Sequence, residues 1–122
     1  MSPLRPLDPS FPITRQLAVE ASPVVLVNVF TMAEADEGTF LNVWQDDAEF
    51  MKRQPGFIST QLHRAIGPSP TYLNYAVWES TGSFRAAFAH PEFQAKLATY
   101  PASAVASPHL FQKVVVPGVC VA

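Results

Sequence analysis

Between residues 71 and 78 the chain alternates, with Tyr72, Asn74, Ala76 and Trp78 on one side and Leu73, Tyr75 and Val77 on the other. Aromatic or β-branched residues fill most positions, and the run predicts a strand. Ser80 then stands as a helix N-cap ahead of a stretch at helical spacing. An amide and an indole four residues apart on one strand face point the same way and can line one cavity. That polar pair, on an otherwise apolar face beside a helix start, is the strongest functional clue in the chain.

The rest of the pattern supplies its setting. Residues 24–31 predict a strand with Val24, Leu26 and Phe30 on one face and Val25, Val27 and Val29 on the other. A strand apolar on both sides belongs in a sheet covered on both faces. Asn28 interrupts it, either as a satisfied core amide or as a group aimed into a pocket. From 37 to 54, Phe40, Val43, Trp44, Ala48 and Met51 recur at helical spacing. Asn42, Asp46, Asp47, Glu49, Lys52 and Arg53 are assigned to the outer face, Asp36 to the N-cap, and Pro55-Gly56 to the stop. The Asp46, Asp47 and Glu49 cluster reads as a solvated face, and no metal is expected.

Residues 57–65 predict a second strand, with Phe57, Ser59, Gln61 and His63 on one face and Ile58, Thr60, Leu62 and Arg64 on the other. The turn at 67–70 joins it to the 71–78 strand as an antiparallel hairpin. Residues 80–100 are helical in two pieces, and Pro91 either kinks them or opens a second short helix. A small-residue linker is expected over 101–108 and a last strand over 110–116. The order β-α-β-β-α-β predicts an α+β, ferredoxin-like fold, an antiparallel sheet with both helices on one face. The other apolar face predicts a homodimer with two sheets packed together. Residues 1–22 carry Pro3, Pro6, Pro9 and Pro12 and predict an extended arm without its own fold, ahead of a domain over 23–122.

Composition narrows the function. In 122 residues, 48% are hydrophobic and only 15% charged, which again favours a face hidden against a partner. A net charge of −2 with scattered basic residues excludes nucleic acid as the expected partner. No leader-like start and no membrane-length apolar run are visible, and a soluble cytoplasmic protein is expected. Cys120 is the only cysteine and reads as an incidental thiol.

Residues 24–116 resemble the antibiotic biosynthesis monooxygenase family of dimeric α+β barrels. The resemblance is carried by Val27-Asn28-Val29, Gln54-Pro55-Gly56-Phe57, the 72–80 segment and His90-Pro91-Glu92-Phe93. The Pro-Gly-Phe element is structural. The Asn74 and Trp78 pair is similar to that of cofactor-free members that oxidise aromatic polyketide phenols to quinones. The resemblance implies an oxidoreductase without flavin, haem or metal, in which a deprotonated phenol passes an electron to O₂. It implies catalytic roles for Asn74, Trp78 and, as base, His63, and substrate binding by Asn28, Tyr72 and Arg85. Arg85 also reads as an ordinary exposed helix residue. Haem-degrading members of the family use an Asn, a Trp and a His, types matched here by Asn28, Trp78 and His90. That makes haem the alternative cofactor, although His90 lies twelve residues past Trp78 and just before Pro91. A non-catalytic, ligand-binding dimer is the third reading.

Overall fold

The structure is a computed structural model and describes residues 4–121. Strands β1 (Val24–Thr31), β2 (Phe57–Arg64), β3 (Thr71–Trp78) and β4 (Val105–Phe111) form one antiparallel sheet in the order β2-β3-β1-β4. This is the ferredoxin-like α+β arrangement. One face carries α2 (Glu37–Lys52), α3 (Thr81–Phe88) and α4 (Pro91–Leu97); α1 (Ile13–Gln16) lies against β4. Ser80 caps α3 by accepting the Ser83 backbone N–H at 3.1 Å, and Pro91 opens α4 at its first turn. Asp36 occupies the N-cap of α2, but its carboxylate accepts from the Ser103 hydroxyl instead of capping.

Gly56 makes the α2–β2 corner possible. Its φ of +86° suits glycine, and a Cβ there would collide with Ser83 Oγ and Cβ on α3. The corner is tied to the end of β3 by the Glu79 N–H, which donates to Gly56 O at 2.8 Å.

The core divides into two clusters under the helices. Val24, Leu26, Ala76, Trp78, Phe84 and Ala87 build one; Phe30, Phe40, Tyr72, Tyr100 and Ala106 belong to the other. Phe40 meets Phe30 edge-on at 4.9 Å between centroids and Tyr72 at 5.0 Å, geometries that add to plain burial. Between the clusters, at mid-strand, Asn28 and Asn74 stand directly opposite each other.

Three sequence expectations change. The arm is not free of structure: Pro12 caps α1, and Ile13, 3% exposed, joins the core beside Trp78. The Gln16 side chain then binds the outer edge of β4, accepting the Leu110 N–H at 2.8 Å and donating to Leu110 O at 3.0 Å. The last strand is the second change, since 105–108 is strand and 112–116 is not. Pro108 fits because β4 is an edge strand. The Ala106 carbonyl points outward to the Arg5 N–H at 2.8 Å. Pro108, two residues on, turns its backbone the same way, so its missing N–H breaks no ladder bond.

The third change concerns β2. Phe57 pairs with Trp78, but a bulge follows, and Ser59 pairs with Val77 and Thr60 with Ala76. One inserted residue reverses the alternation. Phe57, Thr60 and Leu62 therefore face the helices, while His63 pairs with Leu73 on the far side. On that far face Val27, Val29, Leu73 and Val77 are half-buried and Tyr75 and Phe111 are exposed.

Candidate functional site

A cavity lies between the two core clusters, walled by β1 and β3 below and by α2, α3 and α4 above. Its volume is about 90 Å³. Its lining is mostly aromatic and aliphatic, with Asn28, Asn74, Thr60, Trp78, Asp47 and Tyr100 as the polar-bearing members. An apolar pocket with a few convergent polar groups is the ordinary form of a small-molecule site.

Each polar group is placed by a local rule. Strand alternation brings Asn74 and Trp78 to the cavity side, and the small Ala76 between them leaves room. Cross-strand pairing adds Asn28 opposite Asn74. The Thr60 hydroxyl donates to Asn74 Oδ1, which leaves the Asn74 NH₂ as a donor without a partner among the described residues. Trp78 is 1% exposed, held edge-on between Phe57 at 5.4 Å and Phe84 at 5.7 Å. Its Nε1–H has no hydrogen-bond partner among the described residues, and neither has Asn28 Oδ1. Buried polar atoms left unpaired cost about 1–3 kcal/mol each, so a polar atom placed in the cavity within reach of these groups would be stabilised there.

The charge pattern assigns Asp47 to the outer face of α2, but the structure leaves it 6% exposed and lining this cavity. The reason is periodicity. Asp47 lies three residues after Trp44 and three before Phe50, on the inward stripe of the helix. Tyr100 donates its hydroxyl to Asp47 Oδ2 at 2.7 Å, while Oδ1 is buried with no partner among the described residues. Burial pushes the Asp47 carboxyl up to about 6, against the opposing pull of the Tyr100 bond and the Lys96 charge. Burial and the Asp47 charge together raise the Tyr100 phenol, so it stays a donor.

Of the residues singled out in the sequence, the structure brings Asn28, Asn74 and Trp78 together and leaves four outside. His63 is exposed on the opposite face, through the bulge in β2. Tyr72 is buried in the core beside Phe40, with its hydroxyl donating to Glu37 Oε2 at 2.8 Å. Arg85 is exposed and donates to Leu17 O and Glu20, fastening α3 to the arm. His90 is the N-cap of α4, its Nδ1 accepting the Glu92 N–H at 3.1 Å, and it does not line the cavity. The haem set of Asn28, Trp78 and His90 is therefore not assembled.

Comparison with known proteins agrees with this fold. Residues 23–98 match the family model described as antibiotic biosynthesis monooxygenase. Deoxynogalonate monooxygenase of Streptomyces nogalater is 39% identical over 75 residues, covering 62% of this chain and 63% of that enzyme's length. The crystal structure of SnoaB, a cofactor-independent oxygenase from Streptomyces nogalater, superposes with a TM-score of 0.72 at 32% identity, over 80% of this chain and 99% of that one. A candidate monooxygenase from Shewanella loihica PV-4 gives 0.66 at 28% identity, over 78% of this chain and 97% of the other.

Proposed function

The chain belongs to the antibiotic biosynthesis monooxygenase family, and from that premise we propose that it is a cofactor-independent monooxygenase oxidising a fused aromatic phenol to a quinone with O₂. The observation that carries the reading is the cavity itself. It is apolar enough to take stacked rings, and the donors of Asn74 and Trp78 share one wall. Similarity to a cofactor-independent oxygenase supports the absence of flavin, haem and metal.

Oxidation of an electron-rich ring by O₂ needs the phenolate, because the anion gives up an electron far more readily than the neutral phenol. In this reading the Asn74 amide and the Trp78 indole N–H donate to the substrate oxygen, where charge develops. The aromatic walls orient the ring and keep bulk water from the oxygenated intermediate. Overall, the hydroxyl and the ring C–H of the phenolic form (the two CH₂ hydrogens of its keto tautomer) give two hydrogens to one oxygen of O₂, which leaves as water. The other oxygen becomes the new carbonyl.

The family architecture and the half-buried Val27, Val29, Leu73 and Val77 on the far face support a homodimer with the two sheets packed together. Light scattering at micromolar concentration should give twice the 13.4 kDa chain mass; a monomer would refute the pairing. Among the described residues no helix is long and apolar enough to cross a membrane.

The test is quinone formation from an anthrone-type phenol under air. Asn74→Ala and Trp78→Phe should each lower kcat by about 10-fold or more while remaining folded, in line with loss of a transition-state donor. Full activity in both would overturn the assignment.

A further inference from the structure

We propose that Asp47 is the proton acceptor of the cavity, its Oδ1, without a partner among the described residues, receiving the hydroxyl proton of the aromatic phenol. The proposal rests on the quinone-forming reading above and names the base that reading requires. His63, the base expected from sequence, is on the wrong face of the sheet.

The geometry is selective. Among the described residues Asp47 is the only carboxylate lining the cavity, 6% exposed, and it reaches in from α2 opposite the Asn28, Asn74 and Trp78 wall. One of its oxygens is fixed by Tyr100, leaving the other as an acceptor. The groups that face it are Tyr100 from the segment before β4, Lys96 from α4 and Asp46 on its own helix. Lys96 is engaged with Asp46 Oδ2 at 2.7 Å, so it does not neutralise Asp47 by direct pairing. From the sheet side, no charged residue among those described lines the cavity. A buried carboxylate raised toward neutrality is better matched to a phenol than an exposed one.

In the step, the phenol O–H bond breaks and an O–H bond forms on Asp47 Oδ1, with the electron pair left on the substrate oxygen. The phenolate then reduces O₂, and the carbon–oxygen bond that forms yields a peroxide anion. That anion takes the proton back from Asp47. Loss of the ring C–H proton with cleavage of the O–O bond gives the quinone and water, and Asp47 is again a carboxylate.

The experiment is the pH profile of kcat/KM for quinone formation by the full chain and two variants. Wild type should rise with pH through a limb near 6. Asp47→Asn should lose about 100-fold or more in kcat, and the limb with it. Tyr100→Phe should move the limb to higher pH, because a bond that favours the carboxylate is gone. Rates within threefold of wild type in Asp47→Asn, or an unchanged limb in both variants, would overturn the proposal. If Asp47→Asn does not fold, the Tyr100→Phe limb decides alone. If wild type makes no quinone, the oxygenase reading fails, and binding of 2-naphthol, an aromatic phenol with a free hydroxyl, followed by calorimetry, tests Asp47 separately. Wild-type affinity should then be weaker at pH 5 than at pH 7.5, by up to about 10-fold for a carboxyl near 6, and that of Asp47→Asn pH-independent. The same pH dependence in both, or no binding, would overturn the acceptor role.

Discussion

Helix α2 carries two carboxylates that each accept a tyrosine hydroxyl, Glu37 from Tyr72 at 2.8 Å and Asp47 from Tyr100 at 2.7 Å. Their surroundings make them opposites. Glu37 is also gripped by Nη2 and Nε of the Arg64 guanidinium at 2.9 and 3.1 Å, which holds its carboxyl below the usual range. Asp47 has no such fork, is nearly out of water, and is pushed up to about 6. A tyrosine partner alone therefore does not decide a carboxylate's role. The cation and the solvent do. Glu37 fastens α2 to β2 and β3; Asp47 holds an open acceptor over a cavity.

The contrast is sharpest when both are neutralised. Asp47→Asn should cost about 100-fold or more in turnover, whereas Glu37→Gln should leave turnover within twofold. Stability should move in the reverse sense. A carboxyl raised from about 4 unfolded to about 6 folded binds more protons in the folded state, so stability falls as pH rises between those values. Above pH 6 the cost is fully present, at most about 3 kcal/mol for a carboxyl displaced that far. Asp47→Asn should thus raise Tm at pH 7.5 by several degrees, and this gain should vanish near pH 4. An unchanged or lower Tm would break the contrast.

For Glu37 the sign is opposite. Its folded value is depressed, so its contribution is present above the unfolded value of about 4.3 and is lost as pH falls through the folded one. Glu37→Gln should lower Tm modestly at neutral pH and match wild type in strong acid. A penalty that persists in acid would point to packing instead of charge. The smallest effect is expected at His63: with its exposed side chain on the far face, His63→Ala should leave turnover in the assembled protein within twofold. A 10-fold loss would mean that this face, not the helix-covered one, serves the reaction.

Much of this is legible in the sequence alone. Alternation over 71–78 correctly places Asn74 and Trp78 together, and the paired positions of β1 add Asn28. Ser80 as a cap and Pro91 as a helix start follow from local rules that tertiary packing does not disturb. What stays hidden has physical causes. Charge assigns Asp47 outward, although its spacing from Val43, Trp44, Phe50 and Met51 puts it inward. Periodicity outweighs polarity when a cavity, not solvent, receives the side chain. His63 shares a nominal face with Phe57, and only a bulge, set by pairing with β3, separates them. The proline in β4 disguises a strand because edge position, a tertiary property, makes it harmless.

The central claim is that this cavity carries out oxygenation with the protein's own side chains. The direct measurement is O₂ uptake against quinone formed, using colourless protein treated with a chelator and an anthrone-type phenol as substrate. One O₂ consumed per quinone, at a rate unchanged by the chelator, is the predicted result. No O₂ uptake above the protein-free rate, or activity that disappears with the chelator and returns with added metal, would contradict it.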